Sequence, residues 1–203
     1  MAAKTETNGQ KRFRMVKERH RKSLEEAIAQ KKIDPLMIDI SNFIAGTKNY
    51  FTTSTCSGRI TLMDLDESEK KREGAFFRKW HRTVSFNEVW EGIEDEKNTG
   101  NLWFKQDGFV FLIGTNTLEN ATRLLEFCRR SGVKKFGINN IKDGKIHIEV
   151  YGTQHMSVPV KEKNERLVEK EYVKRLVTIA NRKWKLNDAL LNSFCAELKK
   201  EME

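Results

Sequence analysis

A polar stretch from Phe51 to Ile60 (FTTSTCSGRI) holds five hydroxyl side chains, one thiol, one glycine and one arginine. Small hydroxyl residues beside a glycine turn leave backbone N–H groups and Oγ atoms accessible to a ligand. An arginine just beyond such a turn binds a phosphate or a carboxylate through two parallel hydrogen bonds. The stretch therefore predicts the floor of a binding site. The alternative is a threonine-rich edge strand with an ordinary turn.

Other side chains capable of chemistry are scattered along the chain. His81 in KWHRTVS and His155 in GTQHMSVP are candidate general bases, because imidazole titrates near neutral pH. Trp80 and Trp103 could stack a nucleobase, although aromatic residues in strands also commonly fill a core. Cys56 is a candidate nucleophile, but no basic neighbour in the sequence activates its thiol, which favours a structural role.

Several common active-site motifs are missing from the sequence. It has no GxGxxG, GxxxxGK[ST], HExxH or GxSxG pattern, so a doubly wound methyltransferase or dehydrogenase is not expected. The three cysteines are odd in number and widely spaced, and no Cys-His cluster has metal-ligand spacing. We therefore expect neither a disulfide scaffold nor a metal site.

Length and composition predict one substantial core, since 38% of the 203 residues are hydrophobic. No apolar run approaches the roughly 18 residues that span a bilayer, and the N-terminus lacks the apolar centre of a signal peptide. We expect a cytoplasmic protein without membrane contact. Residues 1–10 have the composition of a disordered tail, and 11–203 are expected to form a single α+β domain with terminal basic helices.

The positive charge is concentrated at the two ends of the chain. Residues 1–32 contain 10 Lys and Arg against 4 Asp and Glu, and residues 161–203 contain 11 against 8. Residues 33–160 contain 17 of each sign. This distribution suits a polyanion held at the ends and recognised by the middle of the chain. The alternative is that Lys- and Glu-rich helices simply have solvated faces.

Periodicity and turn residues predict the elements that position these side chains. Helices are expected at 13–32, 35–46, 86–96, 118–130 and 168–200. Asp34, Ser85 and Thr117 are expected to cap the second, third and fourth of these helices. Strands are expected at 50–56, 59–65, 75–84, 103–104, 109–113, 136–141, 145–151 and 158–160. Ser57-Gly58 predicts the tip of a hairpin or of a bent strand pair, Asp107-Gly108 predicts a turn that joins two strands, and Asp143-Gly144 predicts a two-residue hairpin. The fold class is α+β, with a mixed, mostly antiparallel sheet, flanking helices and a long C-terminal helix.

The residues from Phe51 to Ile60, with Leu62 and Asp64, resemble a motif of the wybutosine-synthesis methyltransferases of archaea and eukaryotes, the third enzyme named in that tRNA pathway. Further similar positions are His81, Phe109-Val110, Ala121, Leu124, Ser131-Gly132, Gly137-Ile138, Thr153, Val158-Pro159 and Val168 to Asn181. The resemblance covers roughly residues 36–194.

This resemblance implies methyl transfer from S-adenosyl-L-methionine to N4 of the 4-demethylwyosine-type tricyclic base beside the anticodon of phenylalanine tRNA. It also implies a fold unlike the Rossmann-type methyltransferases. We expect His81 to be the catalytic base, with His155 as the alternative. The expected substrate-binding residues are Ser54, Cys56, Ser57, Gly58, Arg59, Trp80 and Trp103.

Two further hypotheses remain open at this point. A non-catalytic RNA-binding or assembly protein would need only the basic ends, Arg12 to Arg21 and Lys170 to Lys185, which are expected to hold the tRNA backbone. A thiol-dependent enzyme would use Cys56, and alkylation of that thiol would then abolish its activity.

Overall fold

A computed structural model describes residues 6–163 and 165–202, with the side chains of 71–74 left out. The helices are α1 Asn8–Ala29, α2 Ile38–Gly46, α3 Phe86–Glu94, α4 Leu118–Arg130 and α5 Lys170–Met202, and a 3₁₀ turn covers Pro35–Met37. The strands are β1 Tyr50–Cys56, β2 Arg59–Leu65, β3 Lys71–Trp80, β4 Asn101–Asp107, β5 Val110–Thr115, β6 Lys135–Lys142, β7 Lys145–Tyr151, β8 Met156–Glu162 and β9 Glu165–Arg166.

The strands form two sheets, and every strand pair that the structure describes is antiparallel. One sheet has the order β1-β5-β7-β6 and the other has the order β3-β2-β4-β8-β9. The predicted α+β class is confirmed, and the single mixed sheet is replaced by these two. Within the described ranges, no helix is both long and apolar enough to cross a bilayer.

The chain divides into two compact units, and each is described by itself. Unit 1 contains the described residues up to Ser57, then Phe109–Thr153, then those from Leu190 onward; unit 2 contains Gly58–Gly108 and Gln154–Ala189. Unit 1 therefore holds the first sheet with α1, α2, α4 and the end of α5, and unit 2 holds the second sheet with α3 and most of α5. The expectation of a single domain over 11–203 stays a prediction.

Local end signals of the helices were predicted well. Ser85 forms a capping box with Glu88, and Thr117 accepts a hydrogen bond from the N–H of Asn120. The predicted start of α1 at Phe13 is too late. The helix begins at Asn8, because Thr7 forms a capping box with Gln10. Residues 8–10 are therefore helical, contrary to the expected tail, and residues 1–5 lie outside the described part of the chain.

The hairpin alternative at Ser57-Gly58 is wrong, and the turn at Asp107-Gly108 joins two strands as predicted, although these two strands do not pair with each other. β1 pairs with β5, whereas β2 pairs with β3 and β4, so Ser57-Gly58 connects strands of different sheets. Asp107-Gly108 likewise joins β4 of one sheet to β5 of the other. The predicted hairpin, β6 to β7 around Asp143-Gly144, is confirmed. The strand predicted at 75–84 begins and ends earlier, because β3 covers Lys71–Trp80.

Each unit has its own apolar core. In unit 1, Phe109, Phe111 and Phe194 are fully buried, and their ring centroids lie 5.5–6.0 Å apart. In unit 2, side chains of β2 and β4 pack with those of α3 and α5, including Leu62, Phe104, Ile93 and Val173. α5 contributes separate residues to each core: Val173, Leu176, Val177, Ala180 and Trp184 to unit 2, and Leu191, Phe194 and Leu198 to unit 1.

Two histidines pack α1 onto the first sheet in unit 1. The ring of His20 stacks on Phe51 at 5.2 Å, and His147 meets the same phenyl ring edge-on at 5.8 Å. Burial lowers the pKa of both imidazoles below 6.5, with a smaller effect from Lys145 and, at His20, from Arg19 and the other histidine. Both rings are therefore neutral at pH 7, when they pack as apolar groups.

We expect unit 1 to lose stability in mild acid. The folded pKa of each histidine lies below its unfolded value near 6.5, so the unfolded chain binds more protons as the pH falls below 6.5. Stability from this source is present above pH 6.5 and is lost on acidification. The thermal midpoint of the wild type should fall more between pH 7 and pH 5 than that of the double variant His20→Gln/His147→Gln. Parallel profiles would contradict this assignment.

Candidate functional site

The hydroxyl-rich segment forms β1 and contains a bulge. The register of β1 against β5 shifts between Thr52 and Ser54, and the hydroxyls of Thr52 and Thr53 donate to the carbonyl of Leu112 at 3.2 and 3.4 Å. The Thr55 hydroxyl lies 2.9 Å from that of Ser41 on α2. These three hydroxyls, and a fourth on Ser57, are therefore bonded within unit 1, which explains part of the polar composition structurally.

The remaining unit 1 residues differ in exposure. Ser54 is exposed, Cys56 is half-buried, and Ser57 is buried, where its N–H and its hydroxyl both donate to the Asp34 carboxylate. Asp34 was predicted only as a helix cap, and it does accept from the N–H of Leu36 at 3.1 Å. Ligand binding by Ser54, Cys56 and Ser57 stays a prediction.

The other two thiols are unsuited to nucleophilic chemistry. Burial raises the pKa of Cys128 and of Cys195 to about 12. At neutral pH both therefore remain thiols, and the thiolate is the reactive form.

In unit 2, a glycine turn holds the candidate base. Gly58 has φ +102°, a backbone conformation that residues other than glycine rarely adopt. Its carbonyl oxygen lies 2.8 Å from Nδ1 of His81. A carbonyl only accepts hydrogen bonds, so the neutral ring of His81 carries its proton on Nδ1 and its basic lone pair on Nε2.

Next along β2, Arg59 is fixed by two contacts. Its Nε lies 3.4 Å from Oδ2 of Asp107, and its guanidinium carbon lies 4.5 Å from the ring centre of Phe76. The other oxygen of Asp107 lies 3.4 Å from Nδ1 of His155, whose side chain is 59% exposed. One carboxylate therefore contacts both the arginine and the alternative histidine. Arg59 keeps 30% of its side chain exposed, enough to meet an anion.

The two predicted tryptophans lie on different faces of the second sheet. Trp80 pairs with Ile60 in the β2–β3 register and packs against the unit 2 core. Trp103 pairs with Met63 and packs in a separate cluster with Leu65 and Ala75. Only one of them can therefore stack a given base, and Trp80 directly precedes His81.

The structure thus brings Gly58, Arg59 and His81 together in unit 2 and places Trp103 elsewhere. Asp107 was missed as a member of this group, because it was interpreted only as a turn residue. The pairing of Arg59 with Asp107 in the β2–β4 register puts them opposite each other. A correct prediction of that strand pair would have found the contact.

Replacing Gly58 with alanine should damage this group more than an ordinary glycine substitution. A Cβ at Gly58 would lie 2.7 Å from the Asp107 carbonyl oxygen and 3.0 Å from Nδ2 of Asn187. Gly132, with φ +78° and no atom within 4 Å of the same built position, is a matched control for backbone strain alone. Gly132→Ala should cost about 1–2 kcal/mol.

Gly58→Ala should lower the free energy of unfolding by more than Gly132→Ala does, as measured by denaturant unfolding. It should also displace the carbonyl that orients His81. Equal losses of stability in Gly58→Ala and Gly132→Ala would show that crowding by Asp107 has no effect.

These features define a class of protein. Both sheets are antiparallel, and the described residues contain no parallel βαβ unit of the dinucleotide-binding kind. A guanidinium and an imidazole, candidate groups for an anion and for a proton, lie at one glycine turn. The chain is therefore an α+β protein of non-Rossmann architecture with a candidate site at this turn.

A family model described as "Methyltransferase TYW3" matches residues 10–200, and the chain belongs to this family of methyltransferases. A relative from Pyrococcus horikoshii is 36% identical over 169 residues, covering 83% of this chain and 86% of its own length. It is named tRNA(Phe) 7-((3-amino-3-carboxypropyl)-4-demethylwyosine(37)-N(4))-methyltransferase 1. A zebrafish (Danio rerio) relative, 32% identical over 76% of this chain and 62% of its own length, is named tRNA wybutosine-synthesizing protein 3 homolog.

Solved structures agree with the family. The PH1069 protein from Pyrococcus horikoshii superposes with a TM-score of 0.84 at 32% identity, covering 93% of this chain and 95% of that one. A hypothetical protein from Aeropyrum pernix gives a TM-score of 0.70 at 28% identity, covering 83% of this chain and 98% of its own. The predicted family and the methyltransferase class are confirmed.

Proposed function

We propose that this methyltransferase transfers a methyl group from S-adenosyl-L-methionine to N4 of the 4-demethylwyosine-type base beside the anticodon of phenylalanine tRNA. The observation that carries the proposal is the family match over residues 10–200, together with relatives named for this reaction. We place the activity in the cytoplasm, with the tRNA anticodon arm as partner.

The groups of unit 2 fit such a reaction. S-adenosyl-L-methionine supplies the methyl group as a sulfonium when bound. Methyl transfer forms the N4–CH₃ bond, breaks the S–CH₃ bond and releases the proton of N4. Nε2 of His81 holds the lone pair that can take this proton, because Nδ1 faces the Gly58 carbonyl. The products are then the methylated base and S-adenosylhomocysteine.

Arg59 is assigned to an anionic group of the tRNA beside the base. Its fork binds phosphate in two parallel hydrogen bonds, and Asp107 and Phe76 fix its direction beforehand. Gly58 precedes Arg59 in this group, and Ser54, Cys56 and Ser57 of unit 1 stay predicted substrate-binding residues. Most of the rate acceleration then comes from alignment, for which effective molarity supplies up to about 7–11 kcal/mol.

The flipped base needs an aromatic partner, because the tricyclic ring loses its stacking when it leaves the anticodon loop. Trp80 fills this role in the proposal, since it directly precedes His81 and is half-buried. Trp103 packs with Met63 on the other face of the sheet, so this proposal does not place it beside His81. Cations within the two basic ends, Arg12 to Arg21 and Lys170 to Lys185, hold the tRNA backbone in this proposal.

A methyl-transfer assay tests this function. Purified protein is given labelled S-adenosyl-L-methionine and phenylalanine tRNA from cells blocked immediately before this step, with unmodified transcript as the control. Label in the blocked tRNA alone is the expected result. No label, with the tRNA still bound, would favour the non-catalytic RNA-binding protein.

A further inference from the structure

Helix α1 carries two kinds of cation. Arg14 pairs with Glu6 at 3.1 Å, and Arg21 pairs with Glu18 at 3.0 Å and Glu25 at 3.2 Å. The charges of these two arginines are therefore compensated by carboxylates close to them on the same segment. Such exposed pairs add little stability, but they remove the attraction of the arginines for other anions.

A second set of cations on α1 is not compensated in this way. Lys11, Arg12 and Arg19 line one shallow depression with Met15, of about 660 Å³, and none of the three has a carboxylate within 4 Å among the described residues. Lys11, Met15 and Arg19 are spaced by four residues, so they succeed one another along one helix face. We call Lys11, Arg12, Met15 and Arg19 the basic stripe.

The β6–β7 hairpin extends this charge. Nη1 of Arg12 donates to the Asp143 carbonyl oxygen at 3.0 Å, and Lys142 and Lys145 flank that turn. The Asp143 carboxylate lies beside Gly9 in the first turn of α1, where the helix dipole favours a negative charge. Around this turn one carboxylate, that of Asp143, therefore stands among three cations, Arg12, Lys142 and Lys145.

We propose that the basic stripe holds the phosphate backbone of the substrate tRNA, and that Arg14 and Arg21 on the same helix do not. The inference rests on the proposed function and specifies which of its basic residues grip the RNA. Uncompensated cations in a row gain affinity for a polyanion by releasing its counterions. An anionic membrane is the less suitable partner, because Met15 is the one large apolar side chain exposed on the described part of this helix.

The test compares two double variants with the same change of charge on the same helix. Lys11→Ala/Arg19→Ala removes two charges from the basic stripe, and Arg14→Ala/Arg21→Ala removes two compensated charges. Binding of phenylalanine tRNA is measured from 50 to 400 mM salt, together with methyl transfer at saturating tRNA. Far-ultraviolet circular dichroism checks that α1 remains helical in both variants.

The stripe variant should bind tRNA roughly 10- to 50-fold more weakly near 100 mM salt, and its salt slope should fall by roughly 1.4–1.8. Its methyl-transfer rate at saturating tRNA should stay within about twofold of the wild type, because the stripe touches no reacting atom. The Arg14/Arg21 variant should lose no more than about threefold in binding.

Equal losses in the two variants would overturn the inference, since total charge alone would then govern binding. Unchanged tRNA binding of the stripe variant, with lost binding to vesicles of anionic lipid, would overturn it in favour of a membrane. If the stripe variant binds tRNA as weakly as expected but neither the wild type nor the variants transfer a methyl group, the proposed function is wrong. The assignment of the basic stripe to RNA binding is then kept. If the wild type methylates the tRNA and the stripe variant binds tRNA as tightly as the wild type, this inference is wrong and the proposed function is kept.

Discussion

His81→Gln is expected to lower the methyl-transfer rate by roughly 10²- to 10⁴-fold while tRNA binding stays within about twofold. Glutamine keeps an amide N–H donor for the Gly58 carbonyl, which lies 2.8 Å from Nδ1 of His81 in the wild type. It lacks the basic nitrogen, so the proton of N4 has no acceptor at this position. Single-turnover rates separate this chemical step from binding and from product release.

His155→Gln is the matched control, because His155 is the alternative base and contacts Asp107 at 3.4 Å. It should change the rate only a few-fold. A general base makes the wild-type rate rise with pH, and this rise should be lost in His81→Gln and kept in His155→Gln. The reverse pattern would transfer the role of base to His155.

Arg59→Ala should reduce kcat/KM by about 10- to 100-fold, the usual loss for a hydrogen bond to a charged group. Binding of unrelated RNA should fall less than about threefold, because one phosphate contact among many contributes little to nonspecific affinity. Arg59→Lys should recover only part of the activity, since lysine keeps the charge without the planar fork. Steady-state kinetics and a salt-controlled binding assay give the two numbers.

Arg78→Ala is a close control for this change. The Arg78 guanidinium lies 4.8 Å from the ring centre of Phe77 and 2.8 Å from Asp95, a cation–aromatic–carboxylate arrangement like that of Arg59. It is not among the predicted site residues, so its loss should leave kcat/KM nearly unchanged. Equal losses of activity and of nonspecific binding in Arg59→Ala would make Arg59 a general phosphate anchor instead.

The parts of the fold that the sequence predicts well depend on neighbouring residues. Ser85 and Thr117 cap helices through bonds to residues three positions on, and Asp143-Gly144 closes a hairpin through its own turn. Ser57-Gly58 and Asp107-Gly108 have similar turn residues, but they connect strands of different sheets. A local turn pattern does not contain the identity of the distant strand that supplies the hydrogen bonds.

The same limit applies to the candidate site. Arg59, His81 and His155 could be named as candidates from the chemistry of guanidinium and imidazole, and the preference for His81 came from the family resemblance. The role of Asp107 depends on the register of β2 with β4, and the internal bonds of Thr52 and Thr53 depend on a bulge against β5. Those features arise from long-range pairing, so they became visible only in the structure.

The crossing of the chain from one unit to the other has a consequence for folding. Residues 58–108 leave unit 1 after β1 and return to it before β5, and inside unit 2 the backbone at Gly58 lies against that of Asp107 and Gly108. Once unit 2 has folded, this long excursion behaves as a short connection between Cys56 and Val110, which are paired in unit 1. The entropy cost of bringing these two residues together has then already been met by the folding of unit 2. Each unit consequently lowers the entropic barrier for the other, and neither corresponds to a continuous piece of chain that could be cut out and folded alone.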